Sequence, residues 1–168
     1  MKRFRKKALG HLDEAYNLAR WLTRDGHDAE DIVQEAVLRA LRGFASFRGD
    51  DARAWLLTIV RNTCYTWLKR QRTHETFIDA EADVDSVETD NADPFSVLSR
   101  NIQTEQLRLA VEALPPEFRE VIVLKDLQGL SYREIAKIVA VPIGTVMSRL
   151  ARGRRRLAER LCAEKDAR

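Results

Sequence analysis

The chain has 168 residues, 45% of them hydrophobic, with 29 Lys+Arg against 26 Asp+Glu, enough for one medium core or two small ones. The basic N-terminus MKRFRKKALG lacks an apolar h-region, and no run approaches a membrane-spanning length, so neither a signal peptide nor membrane insertion is expected. Cys64 and Cys162, with His11, His27 and His74, show no metal-ligand spacing, and no nucleophile constellation or phosphate loop is present. The sequence therefore predicts no catalytic residue, no metal and no cofactor, and the two cysteines read as reduced thiols.

Strand signals are nearly absent, and segments of helical period cover most of the chain. The first informative one is HDAEDIVQEAVLRALRGF. Asp28 is its expected N-cap, with Glu30 and Asp31 suited to the first turn. Ile32, Val33, Ala36, Val37, Ala40, Leu41 and Phe44 form its expected inner stripe, and Asp31, Gln34, Glu35, Leu38, Arg39 and Arg42 its outer face. Leu38 amid charges is either a scattered surface apolar or the anchor of a protein–protein patch with a polar rim.

FRGDDARAWLLTIVRNTCYTWLKRQR follows. Asp50 or Asp51 caps a long helix that points Trp55, Leu56, Ile59, Val60, Cys64, Trp67 and Leu68 inward. Arg61, Asn62, Tyr65, Thr66, Lys69 and Arg70 take the rest. Aromatic and amide groups interleaved with cations suit single-stranded nucleic acid, because cations track phosphates, rings stack and polar edges read unstacked bases. Tyr65 and Thr66 fit either that role or the core.

Charge then changes sign. Residues 1–72 carry a net +6, residues 73–104 a net −7 and residues 105–168 a net +4. Two basic modules thus flank an acidic stretch without sustained periodicity, which cannot bury enough apolar surface to fold alone. It is either a solvated tether or a segment that lies along a basic channel in a partner.

LPPEFREVIVLKDLQG reads as a helix starting near Pro116 and stopped by Gly129. Ser131 and Glu134 make an S-x-x-E capping box, so the next helix starts at Tyr132, with Tyr132, Ile135, Ala136 and Val139 inward. It runs to about Ala140, since Val141 precedes a proline. Pro142 suits the first position of the last helix. Val146, Leu150, Leu157 and Leu161 line the inside of that helix. Gly144, Ser148, Ala151, Arg152 and Arg155 lie opposite, with Arg149, Arg154 and Arg156 on the flanks. A membrane-surface helix would show a wide bulky apolar face, and a merely solvated one would mix Glu and Lys on its outside. Two short helices joined by a tight turn, the second one basic, make a helix-turn-helix pattern, in which small residues let the backbone approach a groove while arginines reach phosphates. A three-helix cluster without DNA is the alternative.

The order DAEDIVQEAVLRALRGFASFRGDDARAWLLTIVRNTCYTWLKRQR, acidic stretch, LPPEFREVIVLKDLQGLSYREIAKIVAVPIGTVMSRLARGRRRL resembles a bacterial RNA polymerase sigma factor. More narrowly, it is similar to the extracytoplasmic-function (ECF, group IV) branch of the sigma-70 family, and the resemblance covers nearly the whole chain. It implies an all-α fold of two small helical domains, residues 1–72 and 106–168, joined by an acidic flexible linker over 73–105 that threads the polymerase's RNA-exit path. It implies a non-enzymatic, cytoplasmic protein that takes RNA polymerase core to promoters and aids melting. Its partners would be the β′ clamp helices and β flap of the core, promoter DNA and an anti-sigma factor.

Position by position, the resemblance casts Asp31, Gln34, Glu35, Leu38 and Arg39 as core-polymerase contacts. Phe47, Arg61, Asn62, Tyr65, Thr66, Lys69 and Arg70 would serve the −10 element, with Phe47 and Asn62 at the pocket for an extruded base. Thr145, Met147, Ser148, Arg149, Ala151, Arg152, Arg154, Arg155 and Arg156 would serve the −35 element. Three positions depart from the usual pattern. Ala140 stands where glycine is frequent, and a positive φ there would cost about 1 kcal/mol. Met147 stands where a basic residue is frequent. Gly153 inside a helix costs about 1 kcal/mol against alanine. A stand-alone helix-turn-helix regulator is the alternative function, with a ligand or dimerisation module in place of the N-terminal order.

Overall fold

The computed structural model describes residues 1–77 and 98–167. Among these the regular structure is helical: α1 (Lys2–Lys7), α2 (Leu12–Thr23), α3 (Gly26–Gly43), α4 (Ala52–Phe77), α5 (Leu98–Glu112), α6 (Pro116–Ile122), α7 (Tyr132–Val139) and α8 (Ile143–Asp166). The all-α expectation is met in two helical groups, α1–α4 and α5–α8. Helix α4 continues to Phe77 and α5 begins at Leu98, so both ends of the stretch 73–105 are helical. The rest of the expected linker lies outside the described residues.

Local chemistry sets the boundaries. Helix α3 starts two residues before the position read from the sequence. Asp25, not Asp28, is its N-cap, and the Asp25 carboxylate accepts the backbone N–H groups of His27 at 2.8 Å and Asp28 at 3.0 Å. Asp51 caps α4 by accepting Ala54 N–H at 2.9 Å. The capping box of α7 forms in both directions, Glu134 N–H to Ser131 Oγ at 3.1 Å and Ser131 N–H to Glu134 Oε2 at 2.8 Å. Ala140 ends α7 with φ of 55°, so the strain of a non-glycine residue in the left-handed region is present. Gly129 takes φ of 69°, just after a π-type turn over Val123–Leu127 that closes the preceding helix. Pro142 is the N-cap of α8 and not its first helical residue.

The apolar stripes of the two groups meet. Leu18, Leu22, Ile32, Leu56, Leu57 and Val60 from the first, with Val121, Leu124, Ile135, Val146 and Leu150 from the second, belong to one continuous buried cluster. Helices α2 and α3 pack on α4, α6 and α7 pack on α8, and the groups join through α2 on α6 and α4 on α7. Trp55, Trp67 and Tyr65 are only partly buried against this core. Leu41, read from the sequence as part of the inner stripe of α3, is 39% exposed.

Candidate nucleic-acid and polymerase interface

Helix α3 packs through Ala29, Ile32, Ala36 and Ala40, all buried. Small residues at three of these positions let the helix lie close on its neighbours, which turns the opposite side fully outward. Asp31, Gln34, Glu35, Leu38 and Arg39 all lie on that exposed side. Leu38 is 53% exposed, and Leu41, one turn on, adds to the same apolar ridge. Arg39 donates to Glu35 beside it, forming a charged rim. Leu41 was missed because periodicity assigned it to the stripe. The four alanines show that the true contact line is centred on Ala36.

The FASFRGD loop is held by its own chemistry. Ser46 Oγ donates to Gly43 O at 2.8 Å, and an Arg48 guanidinium nitrogen donates to Ala45 O at 2.8 Å. The Phe47 ring stacks on Trp55 with centroids 4.6 Å apart, and Phe44 and Phe4 extend the aromatic cluster. Gly49 is required here, since a β-carbon on it would meet the Phe47 ring at 3.0 Å. Asn62 lies seven residues past Trp55, about two turns along the same side of α4. Asn62, Thr66, Lys69 and Arg70 are exposed. This places an aromatic surface, an amide and cations along one edge of the first helical group.

Arg61 and Tyr65 are placed otherwise. Arg61 Nε donates to Glu120 Oε2 at 2.9 Å and Nη2 to Oε1 at 3.2 Å. Its guanidinium also lies 3.9 Å above the Tyr65 ring. Burial, with the Glu120 charge adding to it, raises the Tyr65 phenol above its ordinary range. Tyr65, Thr66 and Lys69 line a cleft of ≈ 480 Å³ whose far wall is Pro116 and Glu117 of the second group.

In the second group, α8 shows Gly144, Met147, Ser148, Ala151, Arg152 and Arg155 on its exposed side, with Thr145 half-buried at its start. The flanking arginines are engaged within the protein. Arg154 makes a two-pronged pair with Asp126 at 3.1 and 2.6 Å, and Arg156 lies 4.8 Å over the Phe118 ring. Arg149 approaches Glu120 at 4.0 Å. Gly153 is buried on the inner stripe, where a β-carbon would meet Ile122 Cγ1 at 3.2 Å. The glycine that looked costly in the sequence is the crossing point of α8 on α6.

Further polar residues at the seam between the groups were not singled out from sequence. Arg119, 4% exposed, donates to Trp21 O and Leu22 O at 3.1 Å each and to Leu114 O at 2.7 Å. It thus meets carbonyls of the last turn of α2, where the helix dipole is negative. Burial, with Arg24 nearby, lowers its pKa to about 10. Arg53 donates to Glu14 Oε2 at 2.6 Å and Gln128 O at 2.7 Å, and Gln128 Nε2 returns a bond to Glu14 O at 2.8 Å. Arg119 and Glu120 sit inside PPEFREVIVL, and a charged pair within an apolar run was the available signal.

Two family models match in this order, Sigma-70 region 2 over residues 9–94 and Sigma-70, region 4 over residues 104–157. The chain belongs to the sigma-70 family, in its ECF branch. The ECF RNA polymerase sigma factor SigE of Mycolicibacterium smegmatis is 36% identical over 154 residues, covering 90% of this chain and 58% of that protein. The ECF RNA polymerase sigma-E factor of Escherichia coli K12 is 38% identical over 138 residues, covering 76% of this chain and 70% of its own length. The sigma factor RpoE of Bartonella quintana, solved with the anti-sigma factor NepR, superposes with a TM-score of 0.79 at 32% identity, covering 96% of this chain and 98% of that one. CnrH, solved with the cytosolic domain of CnrY, shares the fold with a TM-score of 0.62 at 22% identity. In this sigma factor, α1–α4 fall largely within region 2 and α6–α8 largely within region 4. Among the described residues no helix is long and apolar enough to cross a membrane.

Proposed function

We propose that this sigma factor recruits RNA polymerase core through the Leu38 ridge of α3, reads the −35 duplex with the exposed face of α8, and captures an unstacked −10 base at Phe47 and Asn62. The observation that carries this reading is the Phe47–Trp55 stack at 4.6 Å with Asn62 further along the same helix. A duplex-reading regulator needs a groove-fitting helix and has no use for an open aromatic shelf beside an amide. Base capture needs both, because flipping costs a few kcal/mol that stacking and edge hydrogen bonds must offset. Residues 1–72 and 106–168 act as the two recognition domains, with 73–105 as their tether. The protein acts as an initiation factor with no reaction of its own, in the cytoplasm, where core and promoter meet. An anti-sigma factor is its expected inhibitor, supported by the likeness to the sigma factor RpoE held by NepR.

The test is promoter opening. With core polymerase, the double variant Phe47→Ala/Asn62→Ala should retain core and −35 binding while losing most permanganate-reactive open complex on duplex promoter. A pre-melted promoter should recover part of the loss, since it removes only the unpairing cost. Equal opening by variant and wild type would displace base capture from this loop. No opening by wild type on any promoter of a broad library would favour the stand-alone regulator.

A further inference from the structure

Glu120 is the deepest charge in the protein: its side chain is 0% exposed, on α6 at the seam between regions 2 and 4. Two arginines converge on it. Arg61 reaches it from α4 with two hydrogen bonds, 2.9 and 3.2 Å, and Arg149 reaches it from α8 at 4.0 Å. The first belongs to the candidate −10 surface and the second to the candidate −35 helix. One buried carboxylate therefore holds a cation from each promoter-reading surface.

That arrangement is incompatible with reading a promoter. Elements centred at −10 and −35 lie about 25 base pairs apart, more than two turns of duplex and roughly 80 Å at about 34 Å per turn. Two arginines that share one carboxylate cannot stand on both elements. The −10 edge is also partly walled, because Pro116 and Glu117 face Tyr65, Thr66 and Lys69 across the cleft. Meanwhile Leu38 and its neighbours on α3 are exposed in this same arrangement. The core-docking ridge is open while the promoter readers are held together.

We infer that Glu120 is an interdomain latch that keeps the free chain closed and unable to bind promoter DNA, while leaving it able to dock on core polymerase. This rests on the sigma-factor reading above and adds an order of events: docking through α3 comes first, and separation of regions 2 and 4 follows. The contact suits a reversible latch because opening returns both arginines and the carboxylate to water, so their hydration compensates for the lost pair. DNA phosphates can then take the two arginines. The remaining seam bonds, Arg53 with Glu14 and Gln128 and Arg119 with the α2 carbonyls, align the two surfaces without involving a candidate DNA-contacting side chain.

The test uses the full chain with the isosteric change Glu120→Gln, which removes the only charge that balances Arg61 and Arg149 at this point of the seam. A donor–acceptor dye pair on the exposed Cys162 and on a cysteine at the exposed Asp13 reports the interdomain distance. The variant should show lower energy transfer than wild type in the free state. Its affinity for −35 duplex without core should rise at least tenfold, with affinity for core polymerase within twofold. A folded variant with wild-type transfer and wild-type duplex affinity would overturn the latch. Should circular dichroism show that the variant fails to fold, the wild-type chain decides. Its transfer must fall when core and promoter are added, and unchanged transfer in an open complex would overturn the proposal. Failure of the wild type to open any promoter with core would count instead against the sigma-factor reading, which separates the two.

Discussion

Gly153 of α8 crosses α6 so closely that a β-carbon on it would stand 3.2 Å from Ile122 Cγ1, 3.3 Å from Ile122 Cδ1 and 3.5 Å from Phe118 Cβ. Alanine would raise the helix propensity of α8 by about 1 kcal/mol, but Ile122 is itself buried and cannot swing aside. Overpacking costs about 1–3 kcal/mol, so the crowding should win. Gly153→Ala is expected to lower Tm by a few degrees, and Gly153→Leu to prevent region 4 from docking on α6. Thermal unfolding followed by circular dichroism checks both; a higher Tm for the alanine variant would show that the crossing has slack.

Asp25 carries the N-cap of α3, and its bonds from Asp28 and His27 N–H hold its carboxyl below the ordinary value of 3.8 against a small opposing effect of burial. A folded-state pKa below the unfolded one gives stability that is present above the ordinary value and lost as pH falls through the folded one. Asp25→Ala should therefore cost about 1 kcal/mol near neutral pH. The gap from wild type should close as pH drops through and below 3.8. Urea titrations at neutral and acid pH measure it. A gap that persists in acid would mean that the side chain acts by packing and not by its charge.

Core docking should depend on Leu38 without burdening the fold. Leu38→Asp places a charge where an interface centre is expected and should weaken core binding by about 2 kcal/mol or more. Because Leu38 is 53% exposed, the Tm should stay within a degree or two. Leu41→Asp should act in the same direction, as its neighbour on the ridge. Fluorescence anisotropy with core polymerase gives the affinities, and an unchanged value for Leu38→Asp would remove the ridge from the docking surface.

The arginines of α8 should separate into classes by what they touch. Arg152 is exposed on the groove-facing side, so Arg152→Ala should cost about 1–3 kcal/mol on −35 duplex, with part of the loss specific to sequence. Arg155→Ala should weaken all duplexes alike and lower the salt slope by about 1. Arg154→Ala and Arg156→Ala should in addition lower Tm, since Arg154 is paired with Asp126 and Arg156 covers Phe118. Binding isotherms for holoenzyme at several salt concentrations, on specific and scrambled duplex, distinguish these. Equal loss on both duplexes would make Arg152 a phosphate anchor.

The two cysteines should react unequally. Cys162 is exposed, whereas Cys64 is buried and its thiol is pushed up to about 12, by burial first and by the Glu120 charge second. Native protein at pH 8 should take up one equivalent of iodoacetamide, at Cys162, and a second only on unfolding. Mass spectrometry of the alkylated peptides reads this directly, and fast native labelling of Cys64 would contradict the packing around it.

Local chemistry in the chain determined much of this protein. The S-x-x-E box set the start of α7, Gly129 and Ala140 marked left-handed helix ends, and the 3.6-residue period exposed the outer faces of α3 and α8. These features are legible because caps, turns and helix faces depend on residues within a few positions of one another. Asp25 was overlooked in favour of Asp28 because several acids compete within one turn, and only backbone geometry tells which of them meets the free N–H groups. Leu41 and Gly153 were misread for a different reason. Which edge of a stripe is covered, and where a helix crosses its neighbour, depends on the partner helix and not on the period. The largest share left to tertiary structure is the seam. Arg61 looked like a free cation for phosphate, and Glu120 like one more charge in an amphipathic helix. Fifty-nine positions apart, they meet only because regions 2 and 4 share one core, which turns two surface residues into a buried pair.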